Sequence, residues 1–201
     1  MYEYIYEKGK NNSKTFILLH GTGGDERNLI PVAQAIDVDA NILSIRGNVS
    51  ENGMNRYFKR HGEGHYDWED LEKRGKELYQ FIEDLSEKHG FSLEDGIYLG
   101  FSNGSNIAMN MLLLEENRID KGMLFAPMYP KELDAKNDLS SRKVYLSMGE
   151  NDPIVPLEES KRVINHFTSQ HAKVTEFWVN SHELNEQTLL AAKKWYEELE
   201  K

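Results

Sequence analysis

A serine stands between two glycines in the segment GFSNG, residues 100–104, directly after the apolar run 96–101. Where a strand turns sharply into a helix, the turn residue adopts an unfavourable backbone conformation, and Gly100 and Gly104 would relieve crowding around it. Such a turn exposes a serine hydroxyl as a nucleophile beside the free N–H groups of a helix start. The alternative is an ordinary strand-to-helix loop in which Ser102 is only the helix N-cap.

A nucleophilic serine needs a base, and His182 is the candidate. It follows the strand-like run 173–179 after a short turn, which predicts a position at the carboxyl edge of a parallel sheet, where Ser102 is also expected. In His20 the backbone turn is expected to matter more than the ring. The other histidines near helices are interpreted as solvated: His89, His166 and His171.

An acid must orient that base, and Asp152 is the candidate. It follows the run 143–148 and precedes Pro153, which restricts the backbone of the turn. Glu150 is the competing acid, but the shorter side chain on the proline-restricted turn is preferred. The chain order is therefore serine, acid, histidine, as in one of three unrelated serine-hydrolase arrangements.

Acyl transfer also requires hydrogen-bond donors for the negative oxygen of the intermediate. The predicted donors are the N–H of Asn103, which follows the serine, and the N–H of Thr22 in the turn HGTGG, residues 20–24. A phosphate-binding loop is the alternative for this turn, but the segment lacks the Walker lysine and the G-x-G-x-x-G spacing.

The elements that must position these residues alternate between strand-like and helical patterns, which predicts βαβ units. Strand-like runs occupy residues 2–6, 15–20, 41–46, 96–101, 121–125, 143–148 and 173–179. Helical patterns begin near residues 67, 102 and 156, and the C-terminal segment has a helical apolar stripe over 189–199. We expect an α/β fold in one domain, 1–201, with a mostly parallel twisted sheet and helices on both faces. The segment 47–64 lacks periodicity and is interpreted as a long loop.

Composition limits the class of protein. The 201 residues contain no cysteine and carry a net charge of −10. Acidity argues against nucleic acids and anionic membranes as partners, and the longest clean apolar run, 16–19, is too short to span a bilayer. The expected location is cytoplasmic, and exposed apolar helix faces would allow a homodimer.

The segment His61-Gly-Glu63-Gly-His65 is the one metal-like pattern. Its glycines disfavour a helix that would align the two imidazoles, so a solvated loop is preferred and no metal is expected. Candidate pocket residues near the catalytic edge are Gly23, Tyr57, Phe58, Tyr66, Met128 and Tyr129. The alternative for the large side chains is packing of the loop onto the body.

The chain resembles α/β-hydrolase carboxylesterases of the phospholipase/carboxylesterase group, which includes acyl-protein thioesterases. Within that group it is most similar to small bacterial esterases associated with quinone and hydroquinone stress. The motifs that carry the resemblance are HGTGGDE (20–26), RGN (46–48), ENGM (51–54), GFSNG (100–104), GENDP (149–153) and SHEL (181–184). One departure is Ser181, where the group usually has glycine, and it predicts a change in the conformation or hydration of that loop.

The resemblance implies an α/β-hydrolase fold and a Ser-His-Asp hydrolase of small-molecule carboxylic esters or thioesters, without a cofactor. No insertion is large enough for a helical cap domain, so we expect an open site for small or medium acyl groups. Two alternatives stay open: a catalytically weak ligand-binding or sensor protein, and a dienelactone-like hydrolase of aromatic degradation products.

Overall fold

A computed structural model describes residues 2–10, 14–134 and 137–199 of the chain. The strands are β1 (Tyr4–Glu7), β2 (Thr15–Leu19), β3 (Asn41–Ile45), β4 (Val49–Glu51), β5 (Met54–Arg56), β6 (Arg60–Gly62), β7 (His65–Tyr66), β8 (Gly96–Phe101), β9 (Lys121–Phe125), β10 (Lys143–Gly149) and β11 (Lys173–Val179). The α-helices are α1 (Ile30–Ile36), α2 (Trp68–His89), α3 (Asn103–Leu112), α4 (Leu157–Thr168) and α5 (Glu186–Leu199).

Seven strands form the central sheet, in the order β1-β3-β2-β8-β9-β10-β11. All neighbouring pairs are parallel except β1 and β3, so the predicted N-terminal edge strand is antiparallel to the rest. The predicted fold class, a mostly parallel sheet flanked by helices, is confirmed. The carboxyl ends of β8, β10 and β11 lie at one edge, and the candidate residues follow these three ends.

The sheet separates two apolar cores because successive side chains of a strand point to opposite faces. In β2, Phe16 and Leu18 lie in the core that α1 and α5 cover, whereas Ile17 and Leu19 lie in the core that α2, α3 and α4 cover. All four side chains are fully buried. Continuous apolar runs in the sequence therefore correspond to strands buried on both faces.

Helix α2 begins and ends at the predicted residues. The side chain of Asp67 accepts a hydrogen bond from the N–H of Asp70, which satisfies one of the free donors of the first turn. Gly90 adopts the left-handed conformation, φ 72°, that ends many helices.

Two local predictions are wrong. The segment 47–64, expected to be an irregular loop, contains the antiparallel pair β4–β5 and most of the pair β6–β7. These strands have only two or three residues each, too few for a period-two pattern to be recognised. Helix α1 was not predicted, because it has seven residues and its N-cap position, Leu29, makes no side-chain capping bond.

Within the described part of the chain, no helix is both long and apolar enough to cross a bilayer.

Candidate active site

Ser102 occupies the sharp turn between β8 and α3. Its φ of 50° and ψ of −113° are rare for a residue with a side chain, and its N–H donates to the Phe125 carbonyl at 2.8 Å. The side chain makes no capping hydrogen bond to α3, and the residue is half-buried. The N-cap alternative therefore lacks the bond that would define it, whereas the strained turn is typical of a nucleophile elbow.

The two glycines beside this turn lie where a side chain would collide with backbone. A Cβ at Gly104 would lie 1.9 Å from the carbonyl oxygen of Leu19, and one at Gly100 would lie 2.7 Å from the backbone nitrogen of Ser105. Helix α3 thus approaches β2 and β8 more closely than any larger residue would allow. This close approach keeps the turn at Ser102 tight.

His182 and Asp152 are hydrogen-bonded to each other after the ends of β11 and β10. The distance from Nδ1 of His182 to Oδ2 of Asp152 is 2.7 Å, and the Asp152 carboxylate is fully buried. The other oxygen, Oδ1, accepts the N–H groups of Ile154 and Val155 at 2.7 and 2.9 Å. Glu150, the competing acid, is exposed and has no bond to His182 within the described residues.

A cavity of about 320 Å³ opens at this edge of the sheet and brings the candidate residues together. Ser102, His182, Thr22 and Asn103 all line it.

Among the described residues, no group of three or more histidine, aspartate or glutamate side chains could hold a metal ion. His61 and His65 are both exposed.

The predicted oxyanion donors have free N–H groups. Within the described ranges, neither the N–H of Thr22 nor that of Asn103 donates to a protein acceptor, although Gly23 and Gly24 beside Thr22 both do. The Asn103 side chain has a different task, because its Oδ1 accepts the N–H of Tyr57 at 2.9 Å. Two unpaired donors therefore border the cavity that contains the Ser102 hydroxyl.

The pocket predictions divide into two groups. Tyr66 and Met128 line the cavity, and Asn106 joins them: its Nδ2 donates to the Tyr66 hydroxyl, and its Oδ1 accepts the N–H of Met128, both at 2.8 Å. The other four candidates are absent from its wall, which corrects their assignment: Gly23, Tyr57, Phe58 and Tyr129.

Each of these four residues has another structural task. Tyr57 is fully buried, and its hydroxyl donates to the Ile45 carbonyl at 2.6 Å. Phe58 is also fully buried, and Tyr129 accepts a hydrogen bond from Nδ2 of Asn110. Gly23 adopts φ 82° in its turn. The alternative, packing of the loop onto the body, applies to Tyr57 and Phe58.

The ring of His20 has a structural role, contrary to the sequence-based interpretation. Its Nδ1 lies 2.6 Å from the Gly21 carbonyl oxygen, and its Nε2 lies 3.0 Å from the N–H of Gly47. A carbonyl only accepts and an N–H only donates, so Nδ1 carries the proton and the ring is neutral. Burial lowers the pKa of His20, in keeping with that form. His166, expected to be solvated, is also buried.

Comparison with known proteins identifies the family. The family model for phospholipases and carboxylesterases matches residues 1–199. The chain belongs to the phospholipase/carboxylesterase family. The Bacillus subtilis (strain 168) protein MhqD, whose name assigns it to the hydrolases, is 36% identical over 197 residues, which are 98% of each chain.

Solved structures agree with this family. The carboxylesterase of Bacillus cereus has a TM-score of 0.95 and 39% identity, over 98% of this chain and 94% of its own. YahD, solved with malic acid, has a TM-score of 0.93 and 34% identity, over 98% of this chain and 99% of its own. This member of the phospholipase/carboxylesterase family is a carboxylesterase-type hydrolase.

Ser181, which replaces the usual glycine of the family, fits without strain. Among the described residues it is not one of those with positive φ, so the position does not demand glycine. Its N–H donates a hydrogen bond to Oε1 of Glu183 at 3.3 Å, and its carbonyl accepts one from the N–H of Glu183 at 3.0 Å. The backbone at Ser181 is therefore not left-handed, and a serine side chain is compatible with the turn in front of His182.

Charged residues in the cavity wall were missed by sequence reasoning. Arg56, Arg60 and Glu63 line the cavity together with the uncharged residues described above. They belong to the segment that was interpreted as a loop. The one sequence signal was the density of charge in that segment, which by itself is typical of a solvated surface.

Proposed function

We propose that the protein hydrolyses carboxylic esters, and thioesters by the same chemistry, through Ser102, His182 and Asp152. One observation carries the proposal: the strained Ser102 turn and the His182 ring line the same cavity, and the far side of that ring is bonded to Asp152. Nucleophile, base and orienting acid are the three parts that acyl transfer by a serine requires.

The proton positions follow from the hydrogen bonds. An ionised carboxylate only accepts, so Nδ1 of His182 carries the proton toward Asp152, and Nε2 of the neutral ring is free to take another. In the first step the Ser102 oxygen attacks the carbonyl carbon while Nε2 takes the hydroxyl proton. The N–H groups of Thr22 and Asn103 stabilise the oxyanion of the tetrahedral intermediate.

Collapse of this intermediate breaks the bond to the leaving group. His182 donates the proton it took from Ser102 to the oxygen or sulfur of the leaving group, and the acyl group stays on Ser102. Water then attacks the acyl-enzyme, with His182 again as the base, and the carboxylic acid is released with Ser102 restored. None of these steps requires a cofactor.

The size of the cavity favours small or medium acyl groups. A volume of about 320 Å³ is at the lower end of the range for ligand sites. Malic acid, the compound named with the YahD structure, is a short dicarboxylic acid, and a related cavity here would suit acids of similar size.

The test is a panel of 4-nitrophenyl esters and matched thioesters that differ in acyl length. Ser102→Ala should abolish hydrolysis and labelling by a fluorophosphonate, while the circular dichroism spectrum stays that of the parent. Ser169→Ala, which alters an exposed serine after α4, is the control and should keep full activity. Undiminished turnover by Ser102→Ala would refute the proposal. A panel that also contains dienelactone separates ester cleavage from that alternative.

A further inference from the structure

Arg56 is a buried cation in the wall of the active-site cavity. Only 2% of the residue is exposed, and it lines the cavity together with Ser102. Its Nη1 donates to Oγ1 of Thr22 at 2.7 Å, and its Nε donates to the carbonyl of Phe58 at 3.3 Å. Within the described residues, all of its hydrogen-bond acceptors are therefore uncharged.

The carboxylate nearest to Arg56 is engaged by another residue. Oε2 of Glu51 lies 3.9 Å from Nη1 of Arg56, beyond hydrogen-bond distance. Arg60 binds both oxygens of that carboxylate: its Nε lies 3.0 Å from Oε1, and its Nη2 lies 2.9 Å from Oε2. Burial and, second, repulsion by Arg60 lower the pKa of Arg56, and the opposing attraction of Glu51 is smaller.

A buried guanidinium that hydrogen-bonds no carboxylate is costly, since the Glu51 carboxylate, 3.9 Å away and already bound by Arg60, replaces only part of its lost hydration. Here the cation contacts Thr22, whose N–H is the proposed oxyanion donor. A counter-charge delivered by the substrate would therefore lie close to the carbonyl that Ser102 attacks. We propose that Arg56 binds a carboxylate on the acyl part of the substrate, so that the preferred substrates are half-esters of short dicarboxylic acids.

The acyl side, rather than the leaving group, is assigned from the position of the acid catalyst. The proposed mechanism, on which this inference rests, has His182 protonate the leaving group, which must then lie near the segments after β10 and β11. Ile154 and Val155 contribute apolar wall there. Arg56 belongs to β5, a different segment, and contacts Thr22 in the turn at residues 20–24.

A matched pair of substrates tests the charge alone. The 4-nitrophenyl half-ester of succinic acid carries a free carboxylate, and the corresponding 4-nitrophenyl methyl diester is neutral with the same acyl chain. Hydrogen bonds to a charged group contribute enough to predict a kcat/KM ratio of at least about tenfold in favour of the half-ester. Ser102→Ala supplies the blank, because the half-ester also hydrolyses spontaneously through its own carboxylate.

Variants of Arg56 test the residue. In Arg56→Gln the preference for the half-ester should fall at least about tenfold, mostly because KM for the half-ester rises. The kcat/KM for the diester should fall less, because that ester loses only the effect of the hydrogen bond from Arg56 to Thr22. Arg56→Lys should keep part of the preference, since it retains the charge without the planar fork. Arg118→Gln is the control, because this exposed arginine pairs with Glu94 and is absent from the cavity wall.

The outcomes are distinct. The inference is overturned, even if no variant folds, when the unmodified protein has an equal or higher kcat/KM for the diester than for the half-ester. It is also overturned when Arg56→Gln lowers kcat/KM equally for both esters. The second result would leave Arg56 as a positioning residue for Thr22. Succinate should inhibit the unmodified protein competitively, and its inhibition constant should be at least about tenfold higher for Arg56→Gln. Undiminished hydrolysis by Ser102→Ala would instead refute the proposed function, so the two failures are separable.

Discussion

Oδ2 of Asp152 lies 2.7 Å from Nδ1 of His182, and the carboxylate is fully buried. Its orientation does not depend on the histidine alone, since the N–H groups of Ile154 and Val155 bind the opposite oxygen. The short turn after β10 therefore determines which tautomer of His182 is present. Glu150, two residues earlier, is exposed.

Asp152→Asn should lower kcat by about 10²–10⁴. An asparagine side chain can offer an N–H to Nδ1, which would move the ring proton to Nε2 and leave His182 unable to accept the proton of Ser102. The measurement is ester hydrolysis at saturating substrate. Glu150→Gln is the matched control and should keep the parent rate; the reverse ranking of the two variants would assign the acid to Glu150.

Removing the side chain of Ser102 should release backbone strain. The φ of 50° costs on the order of 1–3 kcal/mol for a residue with a Cβ, and glycine adopts it freely. Ser102→Gly should therefore have a free energy of unfolding about 1 kcal/mol higher than Ser102→Ala, although both lack the hydroxyl. Denaturant unfolding of the two variants checks this, and equal stabilities would mean that the turn is unstrained.

Gly104→Ala should destabilise the fold by about 2 kcal/mol or more, because its Cβ would collide with the Leu19 carbonyl oxygen at 1.9 Å. Thermal unfolding measures the loss. Gly62→Ala is the control: its Cβ would meet only a side-chain atom of His65, at 3.8 Å. Similar unfolding temperatures for both variants would show that α3 can move away from β2.

Stability should fall as the pH drops below about 6.5. Burial lowers the pKa of both His20 and His166 below the ordinary value of 6.5. Between the folded and unfolded pKa values the unfolded chain binds a proton that the folded chain does not, so the free energy of unfolding decreases as pH falls. The slope approaches about 1.4 kcal/mol per pH unit for each histidine and levels off below the folded pKa.

His20→Gln should reduce that slope, which denaturant unfolding between pH 5 and pH 7.5 would measure. His61→Gln, at an exposed histidine, is the control and should keep the slope of the parent. A parent protein whose stability does not change over this range would contradict the assignment of His20 as a neutral ring between Gly21 and Gly47.

The long strands and helices, and the strand ends that Ser102, Asp152 and His182 follow, are predictable from the amino-acid sequence alone. Long apolar runs and helical stripes repeat over many residues, so their periodicity is visible without a structure. Parallel strands then bring their carboxyl ends to one edge, which is why residues 80 positions apart in the chain were expected to meet. The catalytic roles of these residues stay a prediction.

The surroundings of these three residues could not be predicted without the folded structure. The neutral ring of His20, the buried hydroxyl of Tyr57 and the cation of Arg56 each depend on a partner from a distant segment: Gly47, Ile45 and Thr22. No local period records such contacts, because they arise from the packing of segment 45–57 against the turn at residues 20–24. Burial, and not residue type, distinguishes the structural Tyr57 and the cavity-wall Arg56 from solvated side chains of the same types.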